Sequence, residues 1–168
     1  MKIYFKNLLF LVAVIFINCN AQRISYYDNQ DETFLLWLLN QRSENVISQK
    51  PAYVKPEYII SLYEEMKVSF RDSVSIGKQV TKNNADHFKY SNFADKTFLP
   101  DSATFRLSQN TTHLYLKISK PIFFDKGRKI LIFIEEHCGD LCGSGVFEVY
   151  EKTPSGFNFL IVKEIWIS

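Results

Sequence analysis

The chain has 168 residues, 46% hydrophobic, 15% aromatic and 23% charged, with a formal net charge of +2. Its length excludes a large multidomain enzyme, and its apolar content with so little net charge excludes a disordered polymer. Six Gly and five Pro exclude collagen-like and Pro-rich sequences.

Lys2 and Lys6 precede an unbroken apolar run, Leu8 to Ile17, which gives way to Asn18-Cys19-Asn20-Ala21. A basic start, an apolar stretch and a small-residue end describe a secretory signal peptide. A helix of this run, at ~1.5 Å per residue, reaches only about half of a ~30 Å hydrocarbon core. Cys19 and Ala21 place small side chains at the third and last positions before a cut, so residues 1–21 read as the signal peptide and 22–168 as a single domain starting at Gln22. The expected location is the periplasm or the exterior. Lipidation at Cys19, giving a membrane-anchored lipoprotein, is the alternative, although Asn18 fits poorly before a lipidated cysteine.

Removing Lys2 and Lys6 lowers Lys+Arg from 20 to the number of Asp+Glu, 18, and leaves a neutral mature chain. Neutrality argues against nucleic acid, whose binders draw affinity from phosphate neutralisation. There is no basic amphipathic segment to lie on a membrane. Membrane contact is therefore expected only through the leader or a lipid. No cofactor is expected, and the partner is a protein or small ligand of the cell envelope.

Within the mature chain, Asp28 to Asp31 supplies capping residues ahead of Phe34, Leu35, Trp37, Leu38 and Leu39, which predicts a helix ending near Arg42. Helix N-terminal charge accounts for Asp28, Asp31 and Glu32 more simply than a cation site does. A loop spans 43–55. Pro56 then opens a second helix in which Tyr58, Ile59, Leu62, Tyr63 and Met66 share one face. Residues 67–82 fit either short strands or a helix, and 83–101 read as a polar loop with aromatic anchors.

The second half is rich in β signals. Short strands are predicted at Thr104–Leu107 and His113–Ser119, with Pro121 ending the latter. Asp125-Lys126-Gly127 is a turn. Lys129–His137 sets Ile130, Ile132 and Ile134 against Leu131, Phe133, Glu135 and His137 on the opposite face. Val146–Lys152, the turn Thr153-Pro154-Ser155-Gly156 and Phe157–Ile167 complete an antiparallel meander. Two N-terminal amphipathic helices packed on that sheet define an α+β fold.

The segment from Glu135 to Gly145 carries the unusual chemistry: Glu135-Glu136-His137-Cys138-Gly139-Asp140-Leu141-Cys142-Gly143-Ser144-Gly145. It falls between two strands and forms a hairpin tip. Cys138 and Cys142 are the only cysteines after the leader, and in an oxidising compartment they should form a structural disulfide. So short a loop gives about 2 kcal/mol of chain-entropy stabilisation, so the bond stiffens the tip more than the whole.

Three sharper chemistries compete. A redox couple would need a stabilised thiolate, which a hairpin does not supply as a helix start does. A zinc site from His137, Cys138, Cys142 and Asp140 would need free thiols, and His137 and Cys138 point to opposite strand faces. A Cys138 or Ser144 nucleophile with His137 as base lacks the five-residue elbow motif. Glu135 and His137 share a face and suit acid–base work, but a solvated strand end explains them as well. The functional tip residues are therefore Glu135, His137, Asp140 and Ser144; no catalytic or metal role is assigned to them. His87 and His113 stand alone, Asn110-Thr111-Thr112 matches a common glycosylation pattern, and Trp37 and Trp166 read as core or core-edge aromatics.

Residues 118–168 resemble a group of exported bacterial proteins of unknown activity. The likeness rests on Ser119-Lys120-Pro121-Ile122-Phe123, the apolar Ile130 to Ile134, the tip Cys138 to Gly145, Val146 to Lys152, Gly156 and Trp166-Ile167-Ser168. Phe157-Asn158-Phe159 departs from the Trp-Lys pair usual there. The resemblance implies export and β hairpins and carries over no catalytic residue. The preferred role is a non-enzymatic binding module with a disulfide-stiffened tip. The alternatives are a small periplasmic enzyme using His137 and Glu135, or a thiol or metal protein using Cys138 and Cys142.

Overall fold

A computed structural model describes residues 30–44, 46–85, 96–100, 114–138 and 142–167. The chain divides into two compact units, Met1–Leu36 and Trp37–Ser168. Of the first, residues 30–36 are described; they are helical, and Phe34 and Leu35 are buried. The second unit contains all the strands described below.

Helix α1 covers residues 30–40. Strand β1 is Val46–Ser48, helix α2 is Pro56–Tyr63, helix α3 is Phe70–Ala85 and strand β2 is Thr97–Leu99. Then follow β3 (Tyr115–Ile118), β4 (Ile122–Phe124), β5 (Lys129–His137), β6 (Gly143–Thr153) and β7 (Gly156–Ile167). The strands make one sheet in the order β2-β1-β3-β5-β6-β7, with β4 also paired to β5. The pairs β3/β5, β4/β5, β5/β6 and β6/β7 are antiparallel; β1 runs parallel to both β2 and β3. The protein is thus α+β, with a mixed sheet whose C-terminal strands form the expected meander.

Several elements depart from the sequence reading. The 43–55 loop contains β1, and the 83–101 loop contains the end of α3 and β2. The ambiguous 67–82 stretch belongs to α3, which starts at Phe70 once Lys67 has turned the chain with a φ of 50°. Ser69 caps this helix: its hydroxyl accepts from the Asp72 amide at 3.1 Å. The proposed strand at Thr104–Leu107, together with Cys19, His87, His113, Asp140 and the Asn110-Thr111-Thr112 triplet, lies outside the described residues.

The core on one face of the sheet joins Leu131, Phe133, Phe147 and Val149 to Ile59 and Leu62 of α2 and Ile76 and Val80 of α3. Amides of α3 fix the helix to extended backbone. Gln79 accepts from the Phe123 amide and donates to its carbonyl, at 2.9 and 2.7 Å, and Asn84 does the same for Val54 at 3.0 and 2.8 Å. These bonds satisfy peptide groups that have no strand beside them.

Strands β3 and β4 use the same edge of β5 and are separated by Ser119-Lys120-Pro121. The Ser119 amide donates to the Phe133 carbonyl at 2.8 Å, and its hydroxyl accepts from the Phe133 amide at 2.9 Å. A side chain thereby fills a gap in the ladder. Ser119→Ala is expected to leave the buried Phe133 N–H unpaired and to cost about 1–3 kcal/mol, read as a shift in the urea midpoint at unchanged slope.

Candidate functional site

The tip is built by the last pairs of the β5–β6 hairpin. His137 faces Gly143, Glu136 faces Ser144 and Glu135 faces Gly145. Beyond them the Cys138 amide donates to the Cys142 carbonyl at 3.1 Å, and a disulfide joins the two side chains. Both sulfurs are consumed in that bond, so the thiol and zinc chemistries have no thiolate to work with in this state.

Alternation puts Glu135 and His137 on one face, as expected, and the two meet: His137 Nε2 lies 3.3 Å from Glu135 Oε2. The imidazole is flanked by rings. Tyr115, opposite it on β3, stacks at 4.8 Å with planes 10° apart, and Trp166 lies 6.2 Å away on the other side. Trp166 stands on β7, two strands from His137. It reaches the imidazole because Gly143 and Gly145 on β6 carry no side chains. A Cβ on Gly145 would fall 2.6 Å from Trp166 Cε2 and 2.7 Å from Cδ1, and one on Gly143 would fall 3.2 Å from Cζ3. Gly143, Gly145 and Trp166 of the sequence pattern are thus parts of one contact.

Ser144 sits between those glycines in the strand and pairs with Glu136, so it projects to the face opposite His137. The structure therefore does not assemble Ser144 with His137 as nucleophile and base. Cys138 and Cys142 come together in the disulfide, Glu135 and His137 meet on one strand face, and Tyr115 and Trp166 flank the imidazole.

A second constellation, which the sequence reading did not anticipate, lies on the other face of the sheet. Glu148, only 7% exposed, is paired by both its oxygens with the Arg42 guanidinium, which follows α1. Tyr150 donates its hydroxyl to Glu148 Oε2 at 2.6 Å. Burial alone would lower the Arg42 pKa, but the hydrogen bond and charge of Glu148 outweigh it and hold the guanidinium firmly charged. Burial, then the hydrogen bond and charge of Glu148, push the Tyr150 phenol well above its usual range.

Above this triad the last turn of α1 and the β6–β7 hairpin bound an open cleft of about 700 Å³. Trp37 packs 5.4 Å from Tyr150 and 5.2 Å from Phe157, and Tyr150 meets Phe159 edge-on at 5.6 Å. Only the aromatic character of Trp37 was legible beforehand. The partners of Arg42 lie 106 residues away, beyond any local pattern.

The Tyr150 shift has a consequence at alkaline pH. The folded-state pKa exceeds the unfolded value of about 10, so the unfolded chain loses this proton first as pH rises. The stability contributed by the protonated phenol is complete below about pH 10 and declines above it. Tyr150→Phe cannot titrate there, and its denaturant midpoint is expected to fall less steeply than that of the parent across that range.

Among the described residues no helix is long and apolar enough to cross a membrane. Comparison with protein families, with curated proteins and with solved structures finds no match to the chain.

Proposed function

We propose that the protein is exported and serves as a non-enzymatic binding module, with the cross-linked hairpin tip as its contact surface for an envelope protein. The supporting observation is the Cys138–Cys142 bond closing the end of the β5–β6 hairpin. Such bonds persist in oxidising compartments, in keeping with the leader-like first 21 residues. The resemblance of residues 118–168 to exported bacterial proteins points the same way. Loops held on a rigid sheet commonly carry recognition.

The His137–Glu135 approach satisfies the distance an acid–base pair needs. Yet the imidazole is stacked on Tyr115, and the cleft described above opens on the opposite face of the sheet. A fixed, partly exposed aromatic and acidic patch suits a docking surface better than a reaction chamber.

Intact-mass and N-terminal analysis of the native protein tests the export reading. The expected species starts at Gln22, or carries lipid at Cys19, and is about 2 Da lighter than the dithiol form. Recovery of the Met1 form with free thiols from the cytosol overturns it. For the tip, a discrete envelope protein should crosslink to the parent and be lost with His137→Ala and Glu135→Gln; equal crosslinking by all three removes the tip from the interface.

A further inference from the structure

We infer that the cleft between α1 and the β6–β7 hairpin binds a neutral saccharide. The inference concerns a different surface from the tip and stands whether or not the tip has a partner. Tyr150 and Gly143 are seven residues apart on β6, which separates the two places by about 23 Å, on opposite faces.

Three features carry it. First, the volume of about 700 Å³ falls in the range of small-molecule sites, but the cleft is open along one side, which suits an elongated ligand held by one face. Second, its walls combine rings with an amide. Phe159, 51% exposed, extends the aromatic surface begun by Trp37 and Tyr150, and Gln41 stands on the rim. Aromatic rings present apolar faces to the C–H side of a pyranose, while primary amides both donate to and accept from hydroxyls. Third, the cleft is electrically neutral. Arg42 is the only ionised side chain among the described residues lining it, and its charge is cancelled by Glu148 beneath. An anionic ligand would have to compete with that buried carboxylate. A fatty acyl chain would call for an enclosed apolar channel without amides at its mouth.

Isothermal titration of the full mature protein with soluble glucan, xylan and chitin hexasaccharides tests the assignment, beside a hexauronate and a saturated fatty acid. At least one neutral hexasaccharide is expected to bind with a Kd between about 10 μM and 1 mM. Phe159→Ala and Gln41→Ala, both at exposed positions, should each weaken that binding about tenfold, and Arg71→Ala on α3 should leave it unchanged. The assignment is overturned if no neutral saccharide binds, if the hexauronate or the fatty acid binds more tightly, or if the Phe159 and Gln41 variants bind as the parent does. Circular dichroism of each variant confirms that the fold is retained.

Discussion

Gly145→Ala is expected to destabilise the protein by about 2–3 kcal/mol, a large effect for one methyl group on a strand. A Cβ there would enter the Trp166 indole at 2.6–2.7 Å from two of its carbons, and the ring cannot retreat without leaving His137. The decisive measurement is a double-mutant cycle. In a Trp166→Ala background the space is open, and the same substitution should be neutral or slightly stabilising, because Ala pays less backbone entropy than Gly in a strand. Additive costs would show that the indole does not lie across the glycines. Near-ultraviolet dichroism should follow the same order, with Gly145→Ala and Trp166→Ala both altering the aromatic signal.

The largest single loss is expected from Glu148→Ala, about 3–5 kcal/mol, because it strands a partly buried guanidinium and removes the acceptor of the Tyr150 hydroxyl. Arg42→Ala should cost nearly as much, by leaving a carboxylate that is 7% exposed without its cation. The paired replacement Arg42→Met with Glu148→Met should recover most of the loss, since a desolvated ion pair is worth little more than well-packed apolar side chains. Chemical denaturation of all three variants and the parent checks the ordering. If each single variant loses under 1 kcal/mol, the pair is effectively solvated and adds little.

Long periodic segments were the legible part of the fold. Lys129–His137 coincides with β5, and Thr153-Pro154-Ser155-Gly156 with the β6–β7 turn, because alternation over nine residues and a Pro-containing turn are strong local signals. Strands β1 and β2 have three residues each and owe their conformation to parallel neighbours, so no periodicity could announce them. Helix α3 hid for a different reason. It buries Ile76 and Val80 but leaves Phe70 86% exposed, and the apolar residues on its solvent side counterfeit a strand alternation. In the site, the Glu135–His137 pair was legible because both residues lie on one strand. Trp166 was visible only as a sequence pattern, since its contact with β6 depends on which strand lies beside which.

The crosslink at the tip bears on how the hairpin finds its alignment. Ile130, Leu131, Ile132, Phe133 and Ile134 are all fully buried, so β5 is apolar on both sides. Sliding it by one step past β6 would exchange one oily surface for another, and burial alone offers only weak discrimination against the slip. Cys138 and Cys142 impose what the oily residues do not. Their Cα atoms stand 5.2 Å apart in the native pairing, a span a covalent bridge can close. The bridge thus adds a covalent constraint to the native alignment and disfavours pairings that carry the two Cα atoms beyond a bridgeable span.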